Sequence, residues 1–246
     1  MLLTVAGTAQ AANTPAEANA PATCQCQCAC HKSDQCPASC TCQCHAASGE
    51  TLLNPASITA DSLKKAAIVE LEENGRHYTP DEVTALLDYL KHGGSVIVAI
   101  DEESRTPLLS DGISLITKPF GVTLTKDTEY LHNCGGIAKA GVINKQDREL
   151  PYSGGRAVTG GTPFAWRLDK DGKPAEPFAA YVEIENGGKL VVLAEKMAWH
   201  GLGVPEGVRL SGVPNDVSKT TYWGKDSKVF MEEIRCWLAC KPKSGK

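Results

Sequence analysis

The chain has 246 residues, a hydrophobic content of 42%, a formal net charge of -4 and a pI near 5.9. Lysine and arginine cluster nowhere except in the last few residues, which argues against a nucleic-acid or anionic-membrane surface. No segment reaches the ~18 apolar residues of a membrane span, and the length allows one core of roughly 190 residues beginning near residue 50.

The first residues, MLLTVAGTAQAA, resemble the apolar half of a secretory signal followed by the small-residue pattern Ala9-Gln10-Ala11. A basic n-region is missing, as expected of a truncated start, and a disordered Ala-rich tail is the plainer alternative. Residues 12–23 are Ala, Pro, Thr and Asn with one acid, Glu17, without periodicity, and read as a flexible tether. Residues 1–23 are therefore expected to be signal and tether, and the protein to be exported to a periplasmic or extracellular location.

Residues 24–45 hold eight of the chain's 11 cysteines. Cys26, Cys28, Cys30 and His31 recur, shifted along the chain, as Cys40, Cys42, Cys44 and His45, with Cys24 and Cys36 left over. Along an extended Cys-x-Cys-x-Cys run the thiols face one side about 7 Å apart. Two Cys-Cys-Cys-His sets suit tetrahedral zinc or soft copper(I), with Cys24 and Cys36 as bridging ligands. In this segment alone the Cys-x-Cys spacing resembles metallothioneins. Disulfides are the rival reading, because an exported protein meets oxidising conditions. An antiparallel ladder pairing Cys24 with Cys44, Cys26 with Cys42 and Cys28 with Cys40, closed by Cys30 and Cys36, fits the spacing as one of many connectivities. An unstructured, redox-labile tail is the third. His31 and His45 favour metal, since disulfides have no use for them.

Residues 46–61 read as a linker, 62–240 as one α/β domain and 241–246 as a tail. AAIVELEE (66–73) is expected to be a strand. Thr79-Pro80-Asp81-Glu82 is a capping box with proline at the first helical position. Val83, Leu86, Leu87 and Leu90 follow at helical spacing, and Gly93-Gly94 ends the helix. VIVAI (96–100) is an unbroken apolar run, the habit of a strand buried on both faces of a parallel sheet. GRAVTGGTPF (155–164) fits no phosphate or dinucleotide pattern and reads as turns. Around Asn186-Gly187-Gly188 a hairpin is expected, with LVVLA as its buried second arm. Residues 203–224 look like a long excursion, and a last helix from Asp226 carries Phe230, Ile234, Trp237 and Leu238 on one stripe.

The order TPDEVTALLDYLKHGGSVIVAIDEE, PFGVTL, NGGKLVVLAE and YWGKDSKVFMEEIRCWLA resembles the class I glutamine amidotransferase-like superfamily across residues 62–240. The branch it looks most like includes bacterial periplasmic domains and domains of gliding-motility and ABC-transporter accessory proteins. The resemblance implies a flavodoxin-like three-layer α/β/α sandwich with a mainly parallel sheet, here preceded by a disordered tail and the Cys-rich segment. Enzymatic members carry a cysteine on the turn after the strand matching VIVAI, with a downstream His and Glu. That turn here reads Asp101-Glu102-Glu103-Ser104, and His200 is not in a His-x-Glu pattern, so amidotransfer is not expected.

Ligands of open parallel sheets collect beyond the carboxyl ends of the strands. Asp101, Glu102 and Glu103 end one buried run, and Glu195, Lys196 and His200 follow another. Asp101, Glu102, Glu195 and His200 are thus candidates for acid-base work or cation binding at one rim; the plainer reading is solvated strand ends. Ser104 lacks a Gly-x-Ser-x-Gly context. His132 and Cys134 have the spacing of a metal pair, with a core or loop role as the alternative, and Cys236 and Cys240 stand one helical turn apart. The expected function is a non-catalytic binding or scaffolding domain with a soft-metal segment. Its partners would be metal ions and a protein or carbohydrate at the rim, with no nucleic acid and no membrane span. A hydrolase using the rim, or a structural module with a disulfide-stapled tail, are the rivals.

Overall fold

The computed structural model describes residues 49–72, 75–102, 112–127, 135–152, 154–169, 171–201 and 224–240. The Cys/His segment, Glu103, Ser104, His132, Cys134 and most of the 203–224 excursion lie outside the described residues. The fold is α/β, built on an eight-stranded sheet.

Strand β1 (Glu50–Leu53) opens the sheet within the stretch expected as a linker, pairing in parallel with β2 (Ala66–Glu72). Its four residues carry no apolar run, so only tertiary pairing reveals it. Between them Ile58 is buried and the short helix α1 (Ala60–Leu63) starts at a Thr59–Ser62 capping box. Helix α2 (Pro80–Lys91) follows the expected grammar. Thr79 Oγ1 accepts from Glu82 N at 3.2 Å, a Glu82 carboxylate oxygen accepts from Thr79 N at 3.1 Å, and Leu86 and Leu90 are buried. Strand β3 (Ser95–Ala99) is buried throughout, as its apolar run predicts.

After the short helix α3 (Ile113–Thr117), β4 (Thr123–Asp127) pairs with β7 (Arg156–Thr159) in a separate two-stranded sheet. The main sheet gains β5 (Gly136–Ala138), β6 (Arg148–Leu150), β8 (Thr162–Leu168), β9 (Pro174–Glu183) and β10 (Lys189–Leu193). GRAVTGGTPF is therefore mostly strand, with Gly160 and Gly161 turning the chain between β7 and β8 at φ of 82° and 64°. The hairpin falls at Asn186-Gly187-Gly188 as expected, with Asn186 and Gly187 in left-handed conformation. Gly188 is there for space, since a Cβ would stand 1.8 Å from Leu90 O.

The strand order is β1-β2-β3-β10-β9-β8-β5-β6. Pairing is parallel from β1 to β10 and antiparallel from β10 to β6, so the sheet is mixed and not mainly parallel. The cause is the tight hairpin: it lays β9 antiparallel on β10, and each strand outward keeps reversing.

Helix α4 (Ser227–Ala239) buries Phe230, Met231, Ile234, Trp237 and Leu238, the predicted stripe with one addition. Ser95 Oγ donates to Leu238 O at 2.9 Å, and Lys189 Nζ donates to Trp237 O at 2.6 Å. Phe230 stacks on Phe164 of β8 at 5.8 Å, and Trp237 meets Tyr181 of β9 edge-on at 5.0 Å. Among the described residues no helix is long and apolar enough to cross a membrane.

Candidate functional site

Neighbouring parallel strands end at one edge, so the order β2-β3-β10 brings together Glu72, the Ile100-Asp101-Glu102 turn and the Ala194-Glu195-Lys196 turn. Ile100 N donates to Leu193 O at 2.9 Å, which carries the pairing of β3 with β10 beyond the strands. The two groups of candidate residues therefore do share a rim.

Their chemistry differs from one group to the other. Asp101 is 5% exposed and its Oδ1 accepts from Glu102 N at 3.0 Å. Glu195 is 1% exposed and its Oε1 accepts from Met197 N at 2.9 Å. Both carboxylates turn onto the chain's own amides and shape the turns that follow the strands. Arg156, fully buried on β7, ties these turns together. Its backbone N donates to Ala194 O at 2.9 Å, and its Nε donates to Asp101 O at 2.8 Å. Gly155 makes the approach feasible, because a Cβ there would lie 2.3 Å from Ala194 O. Glu102 is half-buried.

His200 is the exposed member, with a side-chain exposure of 45%. The carboxylate that holds it is Glu72, whose Oε1 lies 2.9 Å from His200 Nε2 and accepts from Lys196 Nζ at 3.0 Å. One turn supplies both partners, since His200 N donates to Lys196 O at 2.9 Å. Beside it, Glu70 is 2% exposed and accepts from Arg235 Nε at 2.6 Å, Arg235 Nη2 at 2.9 Å and Trp199 Nε1 at 3.1 Å. The Glu70 hydrogen bond raises the Arg235 guanidinium above its ordinary range.

Glu70, Glu72, Lys196, Trp199 and Arg235 thus form a continuous polar band on the α4 face of β2. Lys196 was expected beside His200, whereas Glu70, Glu72, Trp199 and Arg235 were not expected at a site. Their signal was AAIVELE, where two acids at alternate positions of an apolar strand must share one face. The Lys196 ammonium sits on the same oxygen as His200, which suits a held imidazole better than a bound cation. Among the described residues no three His, Cys, Asp or Glu side chains gather in a way that could hold a metal ion.

No protein-family model matches the chain, and no curated protein matches it in sequence. Solved structures do. The mmIFT52 N-terminal domain superposes with a TM-score of 0.51 at 17% identity, over 75% of this chain and 82% of that one. A cytoplasmic protein from Salmonella typhimurium LT2 gives 0.49 at 14%, over 78% of each chain. A ThuA-like protein from Bacteroides uniformis gives 0.42 at 11%, over 76% and 75%. At such identities the likeness to the first of these is one of fold alone.

Proposed function

We propose that the chain is an exported bacterial protein whose α/β domain binds or scaffolds a partner without catalysing a reaction, and whose residues 24–45 bind zinc or copper(I). The domain is read as a three-layer glutamine amidotransferase-like sandwich that lacks the nucleophile. The observation supporting the non-catalytic reading is the inward engagement of Asp101 and Glu195. A general acid or base must reach a substrate atom, and buried carboxylates bonded to neighbouring amides serve the turns instead. Support for the metal segment is the repeated Cys-Cys-Cys-His set.

The test is the intact mass of protein purified without reductant, natively and after denaturation with a chelator. Metal adducts that leave with chelator, exposing eight alkylatable N-terminal thiols, are the expected result. A metal-free chain about eight mass units lighter than the all-thiol form, as four disulfides require, overturns the metal half. A hydrolase is the second reading, favoured by the half-exposed imidazole of His200 on a carboxylate. Hydrolysis of an ester, amide or glycoside probe that disappears in His200→Ala would replace the non-catalytic reading with it.

A further inference from the structure

A groove of about 450 Å³ opens at the edge of the sheet opposite the rim, where β2 and β3 begin. It is walled by Leu63, Ala66, Ala67, Ala85 and Tyr89 and closed by Cys240 at the end of α4. Both described ends of the domain lie by it, since Cys240 lines the groove and Gly49 abuts its wall residue Ala67. Gly49 lies so close to β2 that a Cβ on it would stand 2.7 Å from Ala67 N, and Glu50 N donates to Lys65 O at 2.9 Å. Because β1 runs parallel to β2, the chain preceding Gly49 leaves the sheet at the edge where the groove opens. His45 is four positions before Gly49. An extended chain spans at most ~3.6 Å per residue, so His45 stays within about 14 Å of Gly49.

The groove is lined by small apolar side chains together with Lys64, Asp88 and His92, and the preceding stretch is likewise of small and polar residues with little net charge. Residues 24–45 carry one lysine, Lys32, and one acid, Asp34, and are formally neutral with neutral histidines. They join Gly49 through Ala46-Ala47-Ser48, all small. A neutral, thiol-rich segment held this close raises its own local concentration at the groove.

We infer that the groove is the docking site of the chain's own Cys/His segment, residues 24–45 with their 46–48 link, seated against Ala67, Ala85 and Tyr89. Docking requires neither metal nor disulfides in the segment, so it goes beyond the metal-binding reading. It would place the segment's ligands against the folded domain.

Lys32 is the only lysine or arginine among residues 1–63, so trypsin has one cleavage site before Lys64. The test compares cleavage at Lys32 in the full chain, in Ala85→Gln and in Ala60→Gln. Ala60 and Ala85 both line the groove, the first exposed and the second half-buried, and glutamine keeps good helix propensity at either. Slow cleavage in the full chain, accelerated about tenfold or more in both variants at unchanged melting temperature, is the expected result. Equal rates in all three overturn docking, while the intact mass of the same samples reports independently whether the segment holds metal. Protection that grows with protein concentration assigns the groove to a second copy and also overturns the intramolecular site.

Discussion

Glu233 shows how a single side chain can hold an element that its sequence would assign to solvent. It is 8% exposed on α4, and its two oxygens take four donors. Arg148 gives Nη2 at 2.7 Å and Nε at 3.0 Å, Asn144 gives Nδ2 at 3.0 Å, and Lys145 gives its amide at 3.3 Å. A bidentate, buried pair of this kind costs far more to break by halves than it contributes whole. Glu233→Ala is expected to lower unfolding stability by about 3–5 kcal/mol in urea titrations at neutral pH. A loss under about 1 kcal/mol would show that water replaces the carboxylate without penalty. The same substitution logic predicts little at Asp147, whose pair with Lys139 is about half exposed. In sequence Glu233 reads as an ordinary polar position between Phe230 and Ile234, because the residue that buries it, Arg148, belongs to a three-residue strand 85 positions away.

At the scale of elements, α2 depends on its first turn. Burial opposes ionisation of Glu82, but the amides of Thr79 and Ile58 and the Arg76 guanidinium outweigh it and hold the carboxyl below its ordinary range. The folded value therefore lies below the unfolded value of about 4.3. The resulting stability is complete above that pH and is lost as pH falls through the folded value. Glu82→Gln should accordingly be less stable than the wild type at about pH 6, with the gap closing as pH falls below the unfolded value of about 4.3 and through the folded value. A gap independent of pH would mean that the charge does no more than the amide. The hairpin offers a steric counterpart. Gly188→Ala forces a methyl toward Leu90 O, 1.8 Å from its ideal position, and should cost about 1–3 kcal/mol. A neutral outcome in thermal melts would mean that β10 can shift away from α2. Both features were legible in the sequence, since a capping box and an Asn-Gly-Gly turn are set by local geometry. Strands β1, β5 and β6 were not, because three or four residues carry too short a pattern to register a period.

Across the whole molecule, the legible part is the buried centre, β3 and β10 with α2 and α4, where apolar runs and a helical stripe declare themselves. The expectation of a mainly parallel sheet failed because an apolar run reports burial on both faces but not the direction of its neighbour. The rim followed the same division. Glu195, Lys196 and His200 could be placed after a strand end, while the partner of His200 could not, since Glu72 lies 128 positions away. Strand β10 is the seam, pairing in parallel with β3 on one side and antiparallel with β9 on the other. Trp237 covers that seam, with the Tyr181 ring at 5.0 Å and Lys189 Nζ at 4.7 Å from its own ring. A side chain packed on the strand where the two halves meet should couple them. Trp237→Ala is therefore expected to cost about 3–5 kcal/mol and to lower protection of β2 and β8 amides equally in native-state hydrogen exchange. Loss confined to β8 would reveal the antiparallel half as a separate cooperative unit, joined to the parallel half only through the backbone of β10.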